Sequence, residues 1–101
     1  MLLQVEQQNI VKDLGDRFVI DVDGQRSYLC YRSNNFIIDL YLAYVPESLR
    51  GYGHAKSLIL FAFQYAVLNG LRVKTNCPAV KAYLKIYPEW KYILDKSSVL
   101  N

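Results

Sequence analysis

From Arg17 to Val22 apolar and polar positions alternate, with Phe18, Ile20 and Val22 on one side and Arg17, Val19 and Asp21 on the other. A half-buried β-strand reads this way. Asp23-Gly24 follows at once and supplies the positive φ values of a type I′ turn, so Gln25 to Arg32 is predicted to return antiparallel as the second arm of a hairpin. After the turn cluster Ser33-Asn34-Asn35, residues 36–45 carry one charge, Asp39. Such a run predicts a central strand buried on both faces, with helices on at least one side. A helix is predicted from about Gly51–His54 to Leu68, with Asn69-Gly70 as its stop. Ala55, Leu58, Ile59, Ala62 and Ala66 form one stripe at helical spacing, and Phe61, Tyr65 and Leu68 form another. A helix apolar over most of its circumference implies a covering helix or a partner subunit, a homodimer being the simplest such partner.

Leu71 to Thr75 alternates again and follows the helix closely, which predicts a return to the sheet parallel to the strand before it. Cys77-Pro78 opens a second helix, since proline is tolerated at the first helical position. Val80, Tyr83, Leu84 and Tyr87 make its inward face, while Lys81 and Lys85 lie one turn apart on another. Pro88 ends it, and Trp90 to Leu94 reads as a last short strand. Residues 1–9 read as a loosely held end or an edge strand. With no repeat, linker or low-complexity segment, residues 1–101 are predicted to form one mixed α/β (α+β) domain of N-terminal antiparallel hairpins, a βαβ unit and a C-terminal helix.

Composition narrows the function classes. Hydrophobic residues make up 52% and charged residues 21%, which excludes global disorder. Nine tyrosines are enough for some to line a cleft rather than fill the core. The net charge is +3 and its lysines and arginines are scattered along the chain, so no nucleic-acid footprint is expected and a small anionic ligand fits better. Cys30 and Cys77 lie far apart without paired spacing, which indicates neither a disulfide framework nor a metal site. Met1-Leu2-Leu3 runs straight into Gln4 and Glu6, unlike a signal peptide, and no apolar stretch approaches membrane-spanning length. A soluble cytoplasmic protein is expected.

The chemistry concentrates between the apolar strand and the long helix, at Val45-Pro46-Glu47-Ser48-Leu49-Arg50-Gly51-Tyr52-Gly53-His54-Ala55-Lys56. A chain that leaves a strand, turns through two glycines and opens a helix aims several unpaired backbone N–H groups at one spot, which makes an anion cradle. Gly51 and Gly53 let a phosphate approach the main chain closely, and Arg50 adds a planar cation. A tight turn that merely packs helix on sheet has the same pattern.

Arg50-x-x-Gly53-x-Ala55, following a strand and Pro46, resembles the pyrophosphate-binding signature of the GNAT superfamily of N-acetyltransferases. Asn76-x-x-Ala79-x-x-x-Tyr83 is a second match, at the spacing seen after the fifth strand of such enzymes. Arg17-Phe18 before Asp23-Gly24, Tyr31-Arg32, Tyr44-Val45-Pro46, Gly70-Leu71-Arg72-Val73 and Cys77-Pro78 with Pro88-Glu89 are similar to the minimal members of about this length, over roughly residues 9–94. The resemblance implies a GNAT-like fold that uses acetyl-coenzyme A and a primary-amine acceptor on a protein, a peptide or a small molecule. It implies that Arg50, Gly51, Tyr52, Gly53, His54 and Ala55 hold the pyrophosphate. The backbone at Tyr44 and Val45 would pair with pantetheine amides, and Asn76 would lie beside the cofactor.

Two catalytic candidates follow. Cys77 sits at a helix N-terminus, where a thiolate is favoured, so it is either a nucleophile, a residue lining the site or a small buried hydrophobe. Tyr83 either protonates the departing thiolate or belongs to the core stripe with Val80 and Leu84. His54, the only histidine, reads as a satisfied or solvent-facing first-turn residue rather than a base. Lys56, Lys81 and Lys85 either meet coenzyme A phosphates or are solvated, and Asp39 is either exposed or holds a substrate ammonium. The chain departs from the minimal members at Leu42, shortly before the Val-Pro pair, and at Tyr87, where they usually carry histidines. That departure leaves a second reading open: a module of the same fold that binds acyl-coenzyme A or another protein without turnover.

Overall fold

The structure is a computed structural model that describes residues 10–96. Strands β1 (Lys12–Asp13), β2 (Arg17–Val22), β3 (Gln25–Ser33), β4 (Ile37–Tyr44) and β5 (Arg72–Thr75) form one sheet in the order β1-β2-β3-β4-β5. The first three neighbouring pairs are antiparallel and β4 pairs with β5 parallel. Helix α1 (His54–Leu68) connects β4 to β5, and α2 (Pro78–Ile86) follows β5. The architecture is the mixed α/β one expected, and the Asp23-Gly24 hairpin is present with φ values of 51° and 77°. Residues 1–9, read above as a loose end or edge strand, lie outside the described residues.

Both helices pack on one face of the sheet. Phe18, Ile20, Leu29, Tyr31, Ile38, Leu40 and Val73 look inward to meet Leu58, Ile59, Ala62, Phe63 and Ala66 of α1 and Val80, Tyr83 and Leu84 of α2. Phe63 is fully buried between Tyr83 and Trp90, with ring centroids 5.5 and 5.4 Å away. Removing a ring from such a position costs about 3–5 kcal/mol. The apolar circumference of α1 is thus explained within the chain, by α2 and by the turn after it.

Three expectations need correction. Trp90 to Leu94 is not a strand: residues Pro88–Ile93 wind as a 3-10 turn, and only Leu94 makes a bridge to Val73. Proline at the start of that segment presets a helical φ, and Trp90 and Ile93 there cap the core rather than extend the sheet. Leu68 is 85% exposed, because it lies past the last turn that touches the sheet. A short strand over residues 12–13 went unpredicted, as did a 3-10 turn over Glu47–Leu49.

The third concerns β4, which is not buried on both faces: Tyr41, Leu42 and Tyr44 are 39, 48 and 45% exposed. A β-bulge is the cause. Tyr31 of β3 faces Leu40, but Cys30 faces Leu42, so Tyr41 is an extra residue on β4. Strict alternation from Leu40 would send Leu42 and Tyr44 inward; the bulge turns them out and brings Ala43 in. Pairing between β4 and β5 ends at the same place, with Leu40 opposite Thr75.

Candidate functional site

Past Leu40, β4 keeps β3 on one side and has no strand partner on the other among the described residues. A free edge from Tyr41 to Tyr44 therefore leads into residues 45–53. Pro46 begins a single 3-10 turn in which the Leu49 amide donates to the Pro46 carbonyl and the Arg50 amide to the Glu47 carbonyl. Gly51 and Gly53 then take φ values of 89° and 81°, left-handed conformations that cost an L side chain about 1–2 kcal/mol. A Cβ placed on either would meet no atom within 4 Å, so both glycines are required by backbone conformation and face open space.

Gly53 caps α1 without a side-chain acceptor, and the first intrahelical bond runs from the Ser57 amide to the Gly53 carbonyl. Among the described residues no protein acceptor engages the amides of residues 51–56. They rim a hollow of about 310 Å³ lined by Val45, Leu49, Arg50, Gly51, Gly53, His54, Ala55 and Lys56. Free N–H groups at a positive helix end, beside one arginine and one lysine, make a site for an anion. Arg50 is partly committed, since its Nε donates to the Val45 carbonyl at 3.0 Å and ties the loop back to the end of β4. Tyr52 is 71% exposed at the rim.

His54 has a different place from its neighbours. It is 4% exposed, and its Nδ1 lies 3.0 Å from the Ser27 hydroxyl on β3, itself fully buried. This is the satisfied histidine anticipated above. Ser27 escaped notice because it was read as one residue of a hairpin arm. The signal was present, because alternation puts Ser27 on the inward side of β3 with Leu29, where a polar residue needs a partner.

Across the gap from the free edge, the Thr75 hydroxyl donates to the Leu40 carbonyl at 2.7 Å and accepts from the Cys77 amide at 3.0 Å. One side chain thus pins β5 to the last paired residue of β4 and sets the start of α2. Thr75 was not anticipated; the cue was a Thr two residues before Cys77-Pro78, the spacing of a hydroxyl-to-amide turn. Cys77 caps α2 and is 3% exposed, within the core cluster, while Asn76 is exposed at the turn. Cys30 and Cys77 are both free and buried.

These observations decide the family. A family model for the GCN5-related N-acetyl-transferase matches residues 17–93, which take in the hairpin, the glycine turn, α1, β5 and α2. The chain belongs to the GCN5-related N-acetyltransferases.

In this family member Tyr83 is 7% exposed and belongs to the core cluster. Its ring meets Phe63 edge-on and Tyr87 at 4.7 Å. Burial raises its pKa, as does the neighbouring Tyr87, against a smaller lowering by Lys56. The phenol therefore keeps its proton at neutral pH. Lys56 holds its ammonium 5.2 Å from the Tyr87 ring, and a hydrogen bond to Tyr87 raises its pKa. Lys56 thereby links the hollow at the start of α1 to the Tyr83–Tyr87 pair. Asp39 pairs with Arg32 at 3.6 Å on the opposite face of the sheet. Among the described residues no three His, Cys, Asp or Glu side chains come together as a metal site would need, and no helix is long and apolar enough to cross a membrane.

Proposed function

We propose that this chain is an acetyl-coenzyme A-dependent N-acetyltransferase acting on a primary amine. One observation carries the reading: among the described residues, a strand edge over residues 41–44 with no strand partner leads through the 3-10 turn over Glu47–Leu49 to the unengaged amides of residues 51–56. An elongated ligand with amides along one part and a diphosphate at its end matches that order of groups. The amides of Gly51, Tyr52, Gly53, His54 and Ala55 would hold the pyrophosphate, with Arg50 and Lys56 as flanking cations. The backbone at Tyr44 and Val45 would pair with the pantetheine arm, and Asn76 and Cys77 would lie opposite it.

Coenzyme A supplies an activated acyl thioester when bound. In the transfer the acceptor nitrogen bonds to the acyl carbon as the carbon–sulfur bond breaks, and the amine's proton ends on the released thiol. The protein's share is mostly positioning. Tyr83, protonated and next to Lys56, is the candidate donor of a proton to the leaving sulfur, and the proton lost by the amine restores its phenol. Cys77, being buried, suits lining the site better than attacking.

Leu42 favours the competing reading of a non-catalytic acyl-coenzyme A or protein-binding module, since it is half-exposed and apolar where related chains usually carry a histidine. Two measurements separate the readings. Isothermal titration with coenzyme A should give saturable binding, matched in thermal unfolding by a ligand-dependent rise in melting temperature. Release of free thiol from acetyl-coenzyme A should then accelerate with at least one member of a panel of peptide and small amines. Binding without any amine-dependent thiol release would leave the acyl-coenzyme A module standing, and no binding at millimolar coenzyme A would sink the transferase and leave only the protein-binding module.

A further inference from the structure

The outward face of the sheet is covered by neither helix, and the strand registers lay it out in rows. Lys12, Val19, Tyr28 and Tyr44 stand side by side across β1 to β4. Arg17, Cys30 and Leu42 form the next row, and Arg32, Asp39 and Lys74 another. Val19 and Cys30 are buried at 0 and 3% exposure, while Tyr41, Leu42 and Tyr44 are 39, 48 and 45% exposed. The centre of this face is therefore aromatic and apolar.

Its margin is cationic. Lys12, Arg17, Arg26, Arg32, Arg72 and Lys74 all look outward, half of the chain's twelve lysines and arginines. Against them stand Asp21 and Asp39, with Asp16 reaching in from the turn before β2. The excess of three cations matches the net charge of the whole chain, so the rest of the molecule is close to neutral. Scattered in the sequence, these side chains are gathered by alternation along five strands.

Guanidinium groups on this face already meet carboxylates. Arg26 grips the Asp21 carboxylate with two bonds of 2.8 and 3.1 Å, and Arg17 holds Asp16 with two of 3.2 Å. Two tyrosine rings are already faced by arginine, Arg32 at 4.1 Å from Tyr41 and Arg17 at 5.4 Å from Tyr28, which leaves fewer open ring faces for stacked bases. A second copy of the chain would bring two cationic margins together, and like charge opposes that.

We propose that this face docks an extended, acidic segment of another polypeptide, its apolar side chains seated among Tyr28, Tyr41, Leu42 and Tyr44 and its carboxylates on the surrounding cations. Resting on the transferase reading above, the same segment carries the acceptor amine, because Leu42 and Tyr44 belong to the part of β4 that has left β5. Four strands span roughly 15 Å, the length of about five extended residues. The substrate class is thus a protein or peptide amine with acidic residues nearby.

The test uses the full chain and three fluorescent probes: a peptide of about eight residues alternating glutamate with valine, its counterpart alternating lysine with valine, and a single-stranded oligouridine of matched charge. Anisotropy should show the acidic peptide binding at least about tenfold more tightly than the basic one, with affinity falling as salt rises. Lys74→Glu and Arg32→Glu, each checked for native circular dichroism, should each weaken the acidic peptide severalfold while coenzyme A affinity by titration stays within twofold. Equal binding of both peptides, tightest binding of oligouridine, or insensitivity to both variants overturns the proposal. Discrimination between the peptides in a protein that fails to bind coenzyme A would support the docking face and refute the transferase reading beneath it.

Discussion

Ser27 and His54 meet at 3.0 Å beneath the glycine turn, one from an inward position of β3 and the other from the first residue of α1. The contact ties the start of the helix, where the unengaged amides lie, to the middle of the sheet. Ser27→Ala leaves a buried imidazole nitrogen without its partner, at a cost of about 1–3 kcal/mol. Urea denaturation should show that loss as a lower midpoint with an unchanged slope. Because the amides of residues 51–56 depend on how α1 is seated, coenzyme A affinity should fall in the same variant. His54→Asn, which can present a polar atom near the Nδ1 position, should recover more of that affinity than His54→Leu. Equal affinities for the asparagine and leucine variants would show that the hydrogen bond does not position the cradle.

Gly53 separates conformational strain from ligand contact. With φ at 81° and no atom within 4 Å of an added Cβ, Gly53→Ala should cost about 1–2 kcal/mol of stability through the backbone alone. The same methyl group enters the space where a phosphate would approach the main chain. Coenzyme A affinity should therefore drop by more than the roughly tenfold that such a stability change represents. If denaturation shows the cost while titration shows unchanged binding, the ligand does not approach Gly53.

Thr75 offers a cleaner comparison, because serine keeps the hydroxyl and valine keeps the shape. Its Oγ1 donates to the Leu40 carbonyl and accepts from the Cys77 amide, both in buried surroundings. Thr75→Val strands those two backbone groups, each worth about 1–3 kcal/mol when left unpaired. Thr75→Ser should lose about 1 kcal/mol or less, from the missing methyl group. Thermal unfolding of the two variants side by side decides this, and equal melting temperatures would mean the hydroxyl does not hold the parting strands.

Sequence pattern revealed the hairpin, α1, β5 and the start of α2 because each has a strong periodic or turn signal. The turn from Arg50 to Ala55 was equally legible as a turn, since Gly51 and Gly53 between a strand and a helix take positive φ, although a turn that only packs helix on sheet has the same pattern. The exposed half of β4 was not. An extra residue in a strand leaves no mark in a run as apolar as Ile37 to Tyr44, and the Tyr41 bulge depends on register with β3. The Ser27–His54 and Thr75–Leu40 contacts were illegible as pairs because one joins residues 27 apart and the other residues 35 apart, where β4 and β5 separate. The cationic sheet face went unread for a related reason: adjacent rows come from five strands, and charge looks scattered until the registers align it.

Buried tyrosines predict how stability responds to alkali. Burial, followed by the 2.7 Å hydrogen bond to Asp13, raises the pKa of Tyr31, and burial also raises that of Tyr83. Each holds its proton more tightly folded than unfolded. Their stabilising effect is complete below the unfolded tyrosine pKa of about 10 and is lost as pH climbs from there toward the folded values. Unfolding free energy should therefore decline above about pH 10. Tyr83→Phe removes one contributor and should make that decline shallower. It also removes the candidate proton donor, so its amine-dependent thiol release should fall about 10²-fold or more if Tyr83 serves the leaving sulfur. Cys77→Ala, by contrast, should leave turnover within a few-fold if the thiol only lines the site. A Tyr83→Phe protein with full turnover and the shallower alkaline decline would place Tyr83 in the core alone and require another donor for the sulfur.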